Sequence, residues 1–387
     1  MNKPRFFEFF AGGGMARAGL GEGWECAFAN DFDPMKVAVY RDNWGEGDMR
    51  LADINALTTA DLPGYADLVW ASFPCQDLSL AGNSAGIGTL EDQTRSGAFW
   101  ALWRLIEGMR DEGRAPAMIV LENVCGILTS SGGRDFATIA RCLSLSGYRF
   151  GAVLLDGVHF VPQSRPRVFI VGIRGDLDVP PHLVGERASD AWHPPAMRAA
   201  LDQLAEPDFD KWLWLTPPAP QQRKTRLAEI IETKPTGVHW SSELDTARLV
   251  GMMSPMNRAK LTAMQRVGKR VVGTIYKRTR PDETGHRRVR AELRDDQIAG
   301  CLRTPGGGSS RQTILVVEGE RIRSRLLSPR EAARLMGLPD SYKLPPRYND
   351  AYHVAGDGLV VPAVRFLAAH MLEPIRDSNT APLLIAA

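Results

Sequence analysis

The chain has 387 residues, 44% hydrophobic and 24% charged, with 47 Lys and Arg against 45 Asp and Glu and a formal net charge of +2. That is globular usage with material for two domains and a large core. Five cysteines, an odd number without CxxC or Cys/His spacing, argue against a disulfide framework or a zinc site and for free thiols in a reducing compartment. The absence of a basic-then-apolar leader and of an uninterrupted apolar stretch of about 18 residues predicts a soluble, cytoplasmic protein.

In chain order, short apolar runs alternate with helix-length segments up to about Asp176: RFFEFFAGGG, CAFAND, ADLVWASFP, AMIVLENV, GAVLLDGVHF and RVFIVGIR. This alternation predicts an α/β fold, a doubly wound, mostly parallel sheet. SGAFWALWRLIEGMRDEGR carries apolar residues three and four apart and a glycine near its end, and reads as a helix. From Asp176 to roughly Arg311 the chain is rich in proline, tryptophan and arginine. Within that stretch Arg266 to Arg294 holds ten Lys or Arg against three acids, which suits a phosphate backbone or a solvated basic face equally. Order returns with QTILVV, then SPREAARLMGL, a helix with Ser328 as its cap and a Glu three positions later, and GLVVPAVRFLAAHML, a closing helix with Pro362 near its start. The simplest organisation is a sheet domain at 1–180, a smaller loop-rich insert at 181–312, and a return to the sheet domain at 313–387.

The run FFEFFAGGGMARAGL is a strand, a glycine turn and a helix start. Taken alone it fits a tight turn as well as a ligand cradle, and it lacks GxGxxG spacing. The next strand ends in ANDFD, where Asp31 can accept from ribose hydroxyls and Phe32 can stack on a base, and LADI brings a third strand-end acid, Asp53. Together these favour an adenosine-containing ligand.

FPCQDLS places Cys75 at the end of the following strand, where open α/β sheets carry reactive groups, although a lone free cysteine is usually a small buried hydrophobe. VLENV carries Glu122 to the same row of strand ends, and burying a carboxyl unpaired costs several kcal/mol or forces protonation. QSRPR brings Arg165 and Arg167 to the entrance of another strand, where two-residue spacing points both guanidinium groups to one side.

FPCQDLS, ENV, QSRPR and SPREAARLMGLPDSY, in that order, identify the chain as similar to the DNA (cytosine-5) methyltransferases that use S-adenosylmethionine. The likeness runs from Phe10 to Pro362 except for the insert. It implies a class I, Rossmann-like catalytic domain and an inserted target-recognition domain. It also implies methyl transfer to C5 of a specific cytosine in duplex DNA, by base flipping and a covalent bond from Cys75 to C6. On this resemblance Glu122 meets N3, Arg165 and Arg167 hold charge at O2, and the Pro74 carbonyl accepts from the exocyclic amine. Phe10, Gly12, Gly14, Asp31, Phe32, Asp53, Ile54, Asp357 and Leu359 would hold the cofactor, which leaves as S-adenosylhomocysteine. Ser79 and Arg95 would lie in a closing loop on DNA, and Arg278, Arg280, Arg288, Arg303 and Arg311 would contact DNA from the insert. No metal is implied. The partners implied are double-stranded DNA and, where the enzyme is one of a pair, a cognate restriction endonuclease; the protein is expected to be monomeric, nucleoid-associated and free of membrane.

Two positions depart from the family pattern. Met15 stands where the glycine turn usually ends in a second glycine, and GDGL, Gly356 to Leu359, replaces the usual GNSV. Asp357 would set like charges together near the cofactor's carboxylate, so a variant with altered cofactor preference is one alternative. A tRNA cytosine-5 methyltransferase on the same fold is the other.

Overall fold

The computed structural model describes residues 3–74, 98–281, 285–303 and 311–385. Seven strands form the large sheet: β1 (Arg5–Phe9), β2 (Glu25–Asp31), β3 (Met49–Leu51), β4 (Leu68–Ala71), β5 (Met118–Val124), β6 (Tyr148–Asp156) and β7 (Pro166–Arg174). Their order is β3-β2-β1-β4-β5-β7-β6. β1, β4 and β5 read as nearly continuous apolar runs because helices cover both faces of the sheet, so alternate residues have no solvent side to turn to. Pairing is parallel from β3 through β5, but β7 is antiparallel to both β5 and β6. The strand order reverses between β1 and its two parallel neighbours β2 and β4, which opens a crevice above the carboxyl ends of these strands.

Helices α1 (Met15–Leu20), α2 (Pro34–Trp44), α3 (Ala98–Asp111) and α4 (Arg134–Leu145) follow β1, β2, β4 and β5. α3 buries Phe99, Leu102, Leu105, Ile106 and Met109, the apolar face its sequence spacing predicts, in a core shared with Phe7, Val69, Ile119 and Leu121. The helix Val361–Leu367 has Pro362 in its first turn and lies so close to α1 that a Cβ on Gly19 would fall 2.3 Å from Val364. Met15 is buried at 2% exposure as the first residue of α1, so the side chain that replaces a glycine there serves the core.

Contacts divide the chain into one unit of residues 1–156, 166–220 and 361–387 and another of 157–165 and 221–360. These limits differ from the composition boundaries at 180 and 312, for two physical reasons. Residues 181–220 stay with the large sheet: Leu213 N donates to Phe150 O on β6 at 2.7 Å, and a small ribbon joins β8 (Val184–Gly185) to β9 (Trp214–Leu215). QTILVV, in turn, is an inner strand of the second unit's own sheet.

That sheet is antiparallel, in the order β11-β10-β12-β13, from β10 (Val271–Pro281), β11 (Arg287–Arg294), β12 (Thr313–Glu318) and β13 (Arg321–Leu326). Leu249, Leu261 and Met264 from two helices, with Met253 between them, pack on Ile275, Leu293, Leu315 and Val317. SPREAARLMGLPDSY belongs to this unit: Ser328 and Glu331 form the expected capping box on the helix Pro329–Leu335. Glu331 also makes a two-pronged pair with Arg325, at 2.5 and 2.7 Å, with both side chains wholly buried. Glu331 further accepts from the Glu232 amide at 2.7 Å. Glu331→Gln leaves the Arg325 charge buried without a counter-ion, so a stability loss of about 3–5 kcal/mol is expected, read as a lower urea midpoint; a midpoint equal to the native one would contradict this.

The helical stretch Tyr348–Thr380 is long and apolar enough by composition to cross a membrane, an exception to the sequence expectation, and 61% of its apolar window is buried inside the protein, the state of a core helix.

Candidate active site

β1 ends at Phe9, and the chain turns through Phe10 and Gly12 at φ values of 57° and 55°. A non-glycine residue in that region costs of order 1–3 kcal/mol, and such strain gathers where a backbone is shaped for a ligand. A Cβ on Gly12 would meet nothing within 4 Å, so space is open above the turn. Gly14 differs: at φ 77° its Cβ would fall 2.3 Å from the Trp44 indole nitrogen, which donates to Gly13 O at 3.1 Å. Asp31, at the tip of β2, ties the turn down by accepting from Gly12 N at 2.8 Å through one oxygen and from Asp33 N at 2.9 Å through the other. Phe32 beside it is 68% exposed, an aromatic face with nothing packed over most of it. Asp53 caps the short helical turn Ile54–Ala56 through one oxygen and keeps the other free of bonds among the described residues; Ile54 is buried below.

Sequence reasoning passed over Glu8, the single acid in β1, although a lone acid in an apolar strand is itself a signal. It is 2% exposed, and Oε2 has no hydrogen-bond partner. Gly14 offers α1 no capping side chain, and the first turn of α1 has no acid. Burial pushes the Glu8 carboxyl up to about 8, opposed by the Arg17 charge and the amides of Arg17 and Ala16, with Asp31 adding to the rise. A carboxyl raised in the folded state binds a proton that the unfolded chain has lost, so stability is highest below the unfolded value and falls as pH rises from about 4.5 to about 8. At ~1.4 kcal/mol per pH unit, the loss attributable to Glu8 is on the order of 5 kcal/mol. Glu8→Gln should flatten that part of the Tm-against-pH curve; an unchanged slope would remove Glu8 from the account.

β4 runs out through Phe73 and Pro74, and Asn123, 3% exposed on β5, donates to Phe73 O at 3.3 Å, which fixes the backbone one residue before Pro74. Cys75, Ser79 and Arg95 lie outside the described residues. Glu122, 7% exposed at the end of β5, pairs with Arg167, whose Nε sits 3.0 Å from Oε1. The reversed strand makes this possible. Arg167 is at the start of β7 and opposite Val124, so an antiparallel β7 begins at the edge where β5 ends.

Arg165 does not share that partner. It precedes the first residue of β7, so strand alternation does not govern its direction, and its guanidinium donates to Leu302 O at 3.2 Å, Gly356 O at 2.9 Å and Gly358 O at 2.7 Å. Two-residue spacing predicts that both guanidinium groups point to one side; these bonds run from Arg165 to main-chain carbonyls and from Arg167 to Glu122. Arg165 instead braces the segment that carries Asp357, exposed at the end of the helix Tyr348–Asp357, and Leu359, buried. Gln163 of the same motif, wholly buried, donates to Leu335 O at 2.8 Å and accepts from Leu302 N at 3.0 Å.

The basic insert residues sit on a ribbon. The last five residues of β10 are exposed, and the register sets Arg278 opposite Arg290 and Arg280 opposite Arg288. Directly opposed residues share a face, so four arginines line one side of the ribbon. Like charges so placed are destabilising without anions; Glu292 relieves Arg278 at 3.4 Å and Arg280 at 2.6 Å. Arg290 was missed from sequence and is found only through the register. Arg303 is exposed, whereas Arg311 bonds Asn349 and lies 5.4 Å over the Tyr348 ring.

Strand order, the one reversed strand and the glycine turn beside the switch point define an α/β fold of the class I methyltransferase kind. Residues 4–373 match the family of C-5 cytosine-specific DNA methylases, and the chain belongs to that family; it is a DNA (cytosine-5-)-methyltransferase. It is 25% identical to the type II methyltransferase M.HhaI of Haemophilus parahaemolyticus over 94% of this chain and 93% of that one. It is 26% identical to the type II methyltransferase M1.ScrFI of Lactococcus lactis subsp. cremoris over 97% of this chain and 80% of that one. Its fold is similar to the crystal structure of the S. pombe Dnmt2 methyltransferase, with a TM-score of 0.59 at 18% identity, covering 97% of this chain and 99% of that one.

Proposed function

We propose that the protein methylates C5 of a specific cytosine in duplex DNA with S-adenosylmethionine, acting on a base rotated out of the helix. The observation that carries this reading is the Glu122–Arg167 pair, placed at the carboxyl edge of β5 beside the backbone that leads into Pro74 and Cys75. Cytosine C5 is a weak nucleophile. Addition of the Cys75 thiolate to C6 breaks the C5–C6 double bond and sends its electron pair into the ring, which makes C5 nucleophilic. Glu122 meets N3, and Arg167 serves both Glu122 and the charge that grows at O2. Loss of the C5 proton after methylation restores the double bond and releases the thiolate. These atoms are hidden in a stacked duplex, hence the rotated base.

S-adenosylmethionine, when bound, supplies an electrophilic methyl group on a sulfonium. The turn fits such a ligand: the open space at Gly12, the exposed Phe32 ring for an adenine, and Asp31 and Asp53 for ribose and adenine edges. Asp31 already accepts two amides, so it offers a ribose only its remaining lone pairs. The arginine face of the β10–β11 ribbon has the width and charge to enter a major groove, with Arg290 joining Arg278, Arg280 and Arg288. Arg165 is reassigned in this reading to positioning Gly356–Gly358.

The test is incubation with tritiated S-adenosylmethionine and either duplex DNA or tRNA. Label is expected in DNA cytosine; label confined to tRNA overturns the reading in favour of an RNA methyltransferase.

A further inference from the structure

A cavity of about 360 Å³ in the second unit is lined by Val158, His159, Gln222, Arg223, Lys224 and Arg226. Three of these six side chains are the basic Arg223, Lys224 and Arg226, and no Asp or Glu lines the cavity. Arg223 is the wall that holds the site together: its Nε donates to Val158 O at 2.9 Å, joining residues 157–165 to the segment that begins at 221, and Nη1 donates to Thr225 O. Its Nη2 makes no bond among the described residues, nor do the Lys224 ammonium and the Gln222 amide. Arg226 is balanced by Glu229, with 3.0 Å between Nε and Oε1, outside the lining. Donors left uncommitted around a concavity without carboxylates suit an anion with several oxygens, and the fork of an arginine matches a phosphate better than a halide.

We propose that this cavity holds a backbone phosphate of the DNA substrate, a contact that positions the duplex without reading its sequence. The inference rests on the reading of duplex DNA as substrate. A phosphate contact of this kind acts on any duplex, so its signature is affinity and salt dependence rather than site choice.

The experiment measures binding of the full-length protein to a fluorescently labelled duplex by anisotropy over a series of sodium chloride concentrations. It compares the native chain with Lys224→Gln, Lys224→Gln/Arg226→Gln and the charge-keeping Lys224→Arg. Lys224→Gln should weaken binding about tenfold at low salt and reduce the slope of log K against log salt by about one, while Lys224→Arg leaves both unchanged. Calorimetric binding of S-adenosylmethionine should be the same for all four proteins, which checks that each is folded. Affinity within about twofold of native together with an unchanged slope for the double variant overturns the proposal. Inorganic tripolyphosphate is titrated in parallel: if the variants lose tripolyphosphate but keep the DNA slope, the cavity serves a small polyanion and the proposal is again overturned. A native protein that labels DNA while the variants keep the full slope sinks only the phosphate site; a native protein that neither binds nor labels DNA sinks the functional reading as well.

Discussion

Cys75→Ser is expected to abolish methyl transfer, with a loss of turnover on the order of 10⁴-fold or more, while binding of duplex DNA and of S-adenosylmethionine persists. The physical reason is the nucleophile. A serine hydroxyl is far less acidic than a thiol and its alkoxide is almost absent at neutral pH, so addition to C6 loses its driving step. Single-turnover transfer of tritium measures the loss. A duplex carrying 5-fluorocytosine separates a lost nucleophile from a distorted pocket, because fluorine cannot leave as a proton does. The native enzyme should accumulate a covalent adduct on it, stable to denaturant, and the serine variant none. Serine-variant turnover near the native rate, or no adduct with the native enzyme, would remove the covalent step and with it the proposed mechanism.

Arg167→Ala carries the second largest expected effect, because it removes the partner of Glu122, whose side chain is only 9% exposed. Stability should fall by about 3 kcal/mol, the lower end for breaking a buried pair, since Arg167 itself keeps 14% exposure. Turnover should fall about 10²- to 10³-fold, the size of effect seen when a preorganised donor to a growing negative charge is lost. The double variant Arg167→Ala/Glu122→Gln distinguishes the two roles. Removing the stranded charge should recover part of the stability in urea unfolding and none of the turnover. Recovery of both would reduce Arg167 to a structural partner, and full turnover in the single variant would exclude it from the chemistry.

Much of the local structure was legible in the residues. The strand-end placement of Asp31 and Glu122, the glycine turn, the Ser328–Glu331 capping box and the Pro362 helix start are each settled by short-range sterics and hydrogen bonding, and the structure has them where the residues imply. The arginine face of the ribbon was half legible: the charges were visible, but their sharing of one face depends on which residues oppose one another, and Arg290 entered only through that register.

What the sequence by itself determined is the chemistry present at each strand end and each helix cap. Only the tertiary structure decided how those groups combine. Apolar runs do not encode strand direction, so nothing local says that β7 runs against β5, yet that reversal is what sets Arg167 against Glu122. The same holds for Arg165, drawn to the carbonyls of Gly356 and Gly358 nearly two hundred residues away, and for Arg325, buried with Glu331 although arginine is a surface residue by habit. A charge goes where its desolvation is compensated, and the partners that compensate it are assembled only when distant segments meet.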